Sequence, residues 1–85
     1  MFHFFSEIKK ELHLPDIDGE YNIVNINGKA VYVEGQKGLV SLSDDQIVFR
    51  VKGKIVSVFG KDLKLKEMSS ATLSISGEID RIEVN

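Results

Sequence analysis

Few residues of this chain could do chemistry, and their spacing decides what each can do. The two histidines, His3 and His13, stand ten residues apart, whereas a helical pair of metal ligands shares a face at a spacing of about four. Asp44 and Asp45 are adjacent carboxylates. General acid–base catalysis sets two carboxyl groups in unlike environments across a cleft, so neighbours in Ser-Asp-Asp read as a turn instead. Ser69 and Ser70 have no histidine within a nucleophile motif. Cysteine is absent, which removes thiolate nucleophiles, thiolate ligands and disulfides together. The glycines fall in no G-x-G-x-x-G or P-loop pattern ahead of a helix. No catalytic, cofactor-binding or metal site is expected, and the chain reads as non-enzymatic.

Binding chemistry has more material. Arg50, Lys52, Lys54, Lys61, Lys64 and Lys66 gather between positions 50 and 66, with Tyr32, Phe49 and Phe59 nearby. A small β-barrel that binds single-stranded nucleic acid uses such a basic, aromatic-bearing face. Against that reading, Phe49 alternates with Arg50 as a core residue would, and Glu34, Asp62, Glu67, Glu78 and Asp80 oppose the positive charge. The formal charge of −2 and a pI near 5.6 also disfavour a general nucleic-acid binder. Nucleic acid therefore stands as the alternative function, and a salt titration separates it, because phosphate contacts weaken steeply as salt rises.

The elements that must position these residues follow from periodicity. Phe5, Ile8 and Leu12 recur at three and four, Phe2 and Phe4 widen the stripe, and Glu7, Lys9, Lys10 and Glu11 fall mostly opposite. This pattern predicts an amphipathic helix over roughly 4–12, closed by Pro15. From Tyr21 onward the period is two. Asn27-Gly28, Lys52-Gly53 and Ser76-Gly77 read as hairpin turns, EGQKG, SDDQ and EMSSA as further breaks, and GKD at 60–62 as another reversal. About eight short strands result, which predicts a single antiparallel all-β domain over 20–85, a small sandwich or partly open barrel, preceded by the helical segment 1–15. Ile47, Phe49 and Val51 share one face, as do Leu63 with Leu65 and Leu73 with Ile75.

Eighty-five residues bound the chain to one domain. No apolar run nears the roughly 18 residues of a spanning helix, and the N-terminus lacks the charge order of a signal peptide. The expectation is a cytoplasmic domain without a transmembrane segment of its own. The aromatic N-terminal helix either covers an open face of its own sheet, docks on a partner through Phe2, Phe4, Phe5 and Ile8, or lies on a membrane surface. Cancellation of Lys9 and Lys10 by Glu7 and Glu11 weakens the last. An exposed sheet edge offers a second binding mode, β-strand addition, and the same groups would serve a homo-oligomer.

In order and spacing, VYVEGQKGLV (31–40), GKIVSVFGKDLKLKEM (53–68) and LSISGEIDRIEV (73–84), with Leu14-Pro15 ahead of them, resemble the YabP/YqfC family of sporulation proteins. The YqfC branch is the nearest, and the similarity covers about three quarters of the chain. Phe59 departs from the family, which more often has a small β-branched or charged residue there; so does the sparse acidic linker DIDGE. The resemblance implies an assembly factor of spore development, acting in the mother cell. It implies a membrane protein partner of the YqfD type and a peripheral place at the membrane through that partner. It carries over no catalytic or ligand residues.

Overall fold

The structure, a computed structural model, describes residues 21–85. They form six antiparallel strands: β1 (Asn22–Ile26), β2 (Ala30–Glu34), β3 (Gly38–Leu42), β4 (Gln46–Val51), β5 (Lys54–Met68) and β6 (Thr72–Val84). All belong to one open sheet of order β1-β2-β6-β5-β4-β3, so β1 and β3 are its edges. The helix expected over 4–12 lies outside the described residues.

Six strands stand where eight were expected, because two of the predicted reversals are bends. The GKD stretch continues β5, and Ser76-Gly77 lies within β6. Pairing between β5 and β6 shifts register at Phe59/Gly60, at Lys61/Lys64 and at Leu65/Glu67. Such bulges insert unpaired residues and kink a strand without reversing it. Asp62 takes a left-handed φ of 53° at the middle shift. Around it the two long strands press together. A methyl on Gly60 would collide with the Glu78 carbonyl, and one on Gly77 would lie 2.7 Å from the Asp62 carbonyl oxygen. These glycines permit close backbone approach, which a hairpin reading had assigned to turning.

The bend divides the sheet into two halves that share β5 and β6. One half holds β1, β2, the start of β6 and the end of β5; the other holds β3, β4, the start of β5 and the end of β6. Each bend is fastened by the hairpin turn of one half. The Gly77 and Ile79 amides donate to the Lys29 and Gly28 carbonyls at 3.0 and 2.9 Å, and the Gly60 and Leu63 amides donate to Asp45 and Asp44 at 3.1 and 2.8 Å. The β1–β2 turn is of the tight type expected from Asn-Gly, with φ positive at both Asn27 (54°) and Gly28 (67°).

The core lies between the halves. Val31, Val33, Leu73 and Ile75 from one side meet Ile47, Phe49, Val51, Val56 and Val58 from the other, with Leu63 at the bend. Every inward residue expected from period two is buried there except Leu65, which packs half-buried against the cluster. The link between β2 and β3 joins the two halves across this core, and so is no hairpin. Gln36, almost fully buried, holds it: its Nε2 donates to the Ser69 carbonyl at 2.6 Å, and its Oε1 accepts from the Gly38 amide at 2.7 Å.

Candidate interaction surface

Residues that could have done chemistry are engaged in turns. Ser69 Oγ accepts from the Thr72 amide at 3.1 Å and shares a hydrogen bond with Thr72 Oγ1, closing the β5–β6 turn. Ser43 Oγ donates to Asp45 Oδ1 at 2.8 Å and accepts from the Gln46 amide at 3.2 Å. The backbone carbonyls of Asp44 and Asp45 are the ones that secure the bend in β5. No group of three or more acidic or histidine side chains placed to hold a metal occurs among the described residues. His3, His13, Phe2, Phe4, Phe5 and Ile8 lie outside them.

The basic cluster of the sequence does not assemble into a stripe. Arg50 faces away from the core beside Ile55, Lys61 pairs across to Glu78, and Lys64 pairs to Ser76 on the other half. Of the three aromatic rings, Phe49 is fully buried in the core and Tyr32 is 1 % exposed. Phe59 is half-buried, with the Arg81 guanidinium 4.0 Å over its ring. Base stacking calls for an open ring on a basic path, and these three rings are spent otherwise.

The faces that point away from the core differ in character. Across the first half runs a row of cross-strand neighbours: Val24, Tyr32, Ser74 and Glu67. Tyr32 and Ser74 are buried, and Glu34 beside them is 9 % exposed. The Tyr32 hydroxyl donates to Glu34 Oε2 at 3.1 Å. Burial first, and then the hydrogen bond and charge of Glu34, push the phenol's ionisation well above the ordinary tyrosine value. Ser74 Oγ and Glu67 Oε1 are buried with no hydrogen-bond partner among the described residues. The matching row of the second half is Ser41, Val48, Ser57 and Glu83. It is open: Arg81 and Glu83 form an exposed ion pair at 2.9 Å, and Ile55 is 38 % exposed.

At the edges, β3 stands out. Val40 and Leu42 are 46 % and 54 % exposed, the highest among the large apolar side chains of the described residues. No charge occurs from Gly38 to Ser43, although exposed edges are usually guarded by one. The register shift between Leu39 and Ser41 leaves Val40 as the bulged residue. Beyond it, the outer side of β3 offers backbone groups to another strand. Periodicity could not single out this edge, because strand order is not written in it.

A family model, that of the YabP family, matches residues 17–85. The chain belongs to the YabP family. Membership confirms the likeness read from the hairpin fragments and points to a sporulation-related protein. No curated protein and no solved structure matches the chain. The matched span takes in the whole sheet and leaves residues 1–16 outside it.

Proposed function

We propose that this chain is a non-enzymatic assembly or interaction factor of spore development. It acts in the mother cell and is held at a membrane by a protein partner of the YqfD type. Membership of the YabP family over residues 17–85 is the observation that carries the reading. The serines and paired aspartates that could have served catalysis are committed to turns, which favours a binding role. Among the described residues no helix is long and apolar enough to cross a membrane, so membrane placement through a partner suits the chain.

The binding site is the free edge of β3. An extended segment of the partner adds as a seventh strand, its backbone pairing with β3 and its apolar side chains covering Val40 and Leu42. The test is made in the source organism. Deleting the gene, in a background without other family members, should cut heat-resistant spore counts sharply while vegetative growth is unchanged. The wild-type gene should restore the count. A Val40→Lys, Leu42→Lys chain, checked by circular dichroism for a folded sheet, should not. Normal spore counts after deletion would refute the sporulation role, and full rescue by the lysine variant would refute the β3 edge.

A further inference from the structure

Cations that are neighbours in the sequence part company in the fold, but one group stays together. Arg50, Lys52 and Lys54 belong to the β4–β5 hairpin, where Arg50 pairs with Ile55 and Val51 with Lys54. Lys37 joins them from the link ahead of β3, its amide donating to the Arg50 carbonyl at 2.7 Å. All four are exposed, and among the described residues none of them is ion-paired. No acidic residue occurs from Gly35 to Ser43 or from Gln46 to Gly60, and Glu83 on the adjoining strand is taken up by Arg81. A shallow recess of about 390 Å³ opens here, lined by Arg50, Val51, Gly53, Lys54, Ile55 and Asn85. At the other end of the same half, Asp44, Asp45 and Asp62 gather with Lys61 around a second recess. A chain of net charge −2 thus has a positive end and an acidic end, about 20 Å apart along β4.

We propose that the hairpin end of the second half is a docking surface for an anionic lipid bilayer, with Lys37, Arg50, Lys52 and Lys54 against the headgroup phosphates and Ile55 at the acyl boundary. Charge decides the class of surface: four cations without acidic neighbours draw in a negative one, and the acidic end is turned away from it. Shape decides further. Residues 52–55 are exposed one after another, so the turn projects from the sheet, and a flat bilayer meets the hairpin and the β3 link together. A single strand of nucleic acid would need open rings, whereas Phe49 is fully buried and Phe59 lies under Arg81. Ile55, 38 % exposed among the cations, has no use on a phosphate path. At a membrane interface such a side chain enters below the headgroups while long cationic side chains reach up to them. This orientation also stands β3 upright, because Gly38 pairs with Arg50 near the bilayer and Leu42 with Ile47 farther from it. Each cation near an anionic surface strengthens binding about fivefold, so the contact is reversible and orients the chain without anchoring it. The proposal rests neither on the sporulation reading nor on the β3 edge.

Co-sedimentation of the purified full-length chain with vesicles is the test. Vesicles of phosphatidylglycerol mixed with phosphatidylcholine should carry the chain down at low salt and release it as salt rises. Vesicles of phosphatidylcholine alone should not bind it. A Lys52→Gln, Lys54→Gln chain should bind the anionic vesicles about 25-fold more weakly. A Lys64→Gln, Lys66→Gln chain, with the same change in net charge away from the hairpin, should bind as the wild type does. All four positions are exposed, and circular dichroism checks that each variant keeps its sheet. Failure to bind the anionic vesicles at low salt, or equal binding to the neutral ones, would overturn the proposal. So would equal losses from the two pairs, or binding that the hairpin variant leaves unchanged, since either assigns the contact elsewhere in the chain. Tighter binding of a single-stranded oligonucleotide than of the vesicles, abolished by the hairpin variant, would overturn it in favour of nucleic acid.

Discussion

On the β1–β2 side of the bend, the face turned away from the core buries Tyr32, Glu34 and Ser74; on the β3–β4 side, the equivalent face leaves Ile55, Arg50 and Glu83 in the open. Both halves share β5 and β6, contribute to one core and are fastened by the same device, a hairpin turn hydrogen-bonded onto a bent strand. They differ in what their strands carry on the second face. In β2, AVYVE is apolar on both parities and is buried on both sides; in β4, QIVFRV turns Arg50 outward. A strand apolar on both faces reads as one covered on both faces. The difference suggests a division of labour. The first half is closed off as a structural platform, and the second, with the β3 edge, stays accessible.

Substitutions on either half test how far the two differ. The largest effect should come from Gly60→Ala, which drives a methyl into the Glu78 carbonyl where the two halves join. Overpacking against backbone that cannot give way should cost about 3 kcal/mol or more, a large share of the stability of so small a domain. A urea titration would measure it, and an unchanged midpoint would mean that the bend tolerates a side chain.

Next comes the pair of outward aromatics. Tyr32→Ala should destabilise by about 3 kcal/mol, as a buried ring does. Phe59→Ala on the open half should lose about 1 kcal/mol, part burial and part its contact with Arg81. Equal losses by thermal and urea unfolding would erase the distinction between the faces.

Ser74→Ala should have the smallest effect and the opposite sign. Its buried Oγ has no hydrogen-bond partner among the described residues, so removing it relieves an uncompensated polar group and should be neutral or stabilising by about 1 kcal/mol. A clear loss of stability would show that the hydroxyl is engaged in a bond after all.

Much of the fold was legible because it is local. Period two placed Ile47, Phe49, Val51, Leu73 and Ile75 inward, and each is buried. Asn27-Gly28 announced a tight turn because both residues must take positive φ, and both do. Gly60 and Gly77 look like Gly28 in the sequence but serve a different end. Glycine in a strand signals either a reversal or a close approach, and only the packing of β5 on β6 tells them apart. On the candidate surface, the serines and aspartates were correctly read as turn formers. The exposed β3 edge was not located, since an edge exists only once strand order is known.

Residue types and local pattern suffice for the class, the core-facing residues, the true hairpin turns and the family. These depend on residue type and on neighbours a few positions away. Tertiary structure decided that two apparent turns are bends, that eight short strands are six, that β3 is an edge, and that Tyr32 and Ser74 are buried on the outer face of one half while Ile55 and Glu83 are exposed on the other. Each of those is settled by groups far apart in the chain. The Lys29 carbonyl against the Gly77 amide, the Asp45 carbonyl against the Gly60 amide, and the Glu78 carbonyl in the space where a side chain on Gly60 would stand are such pairs.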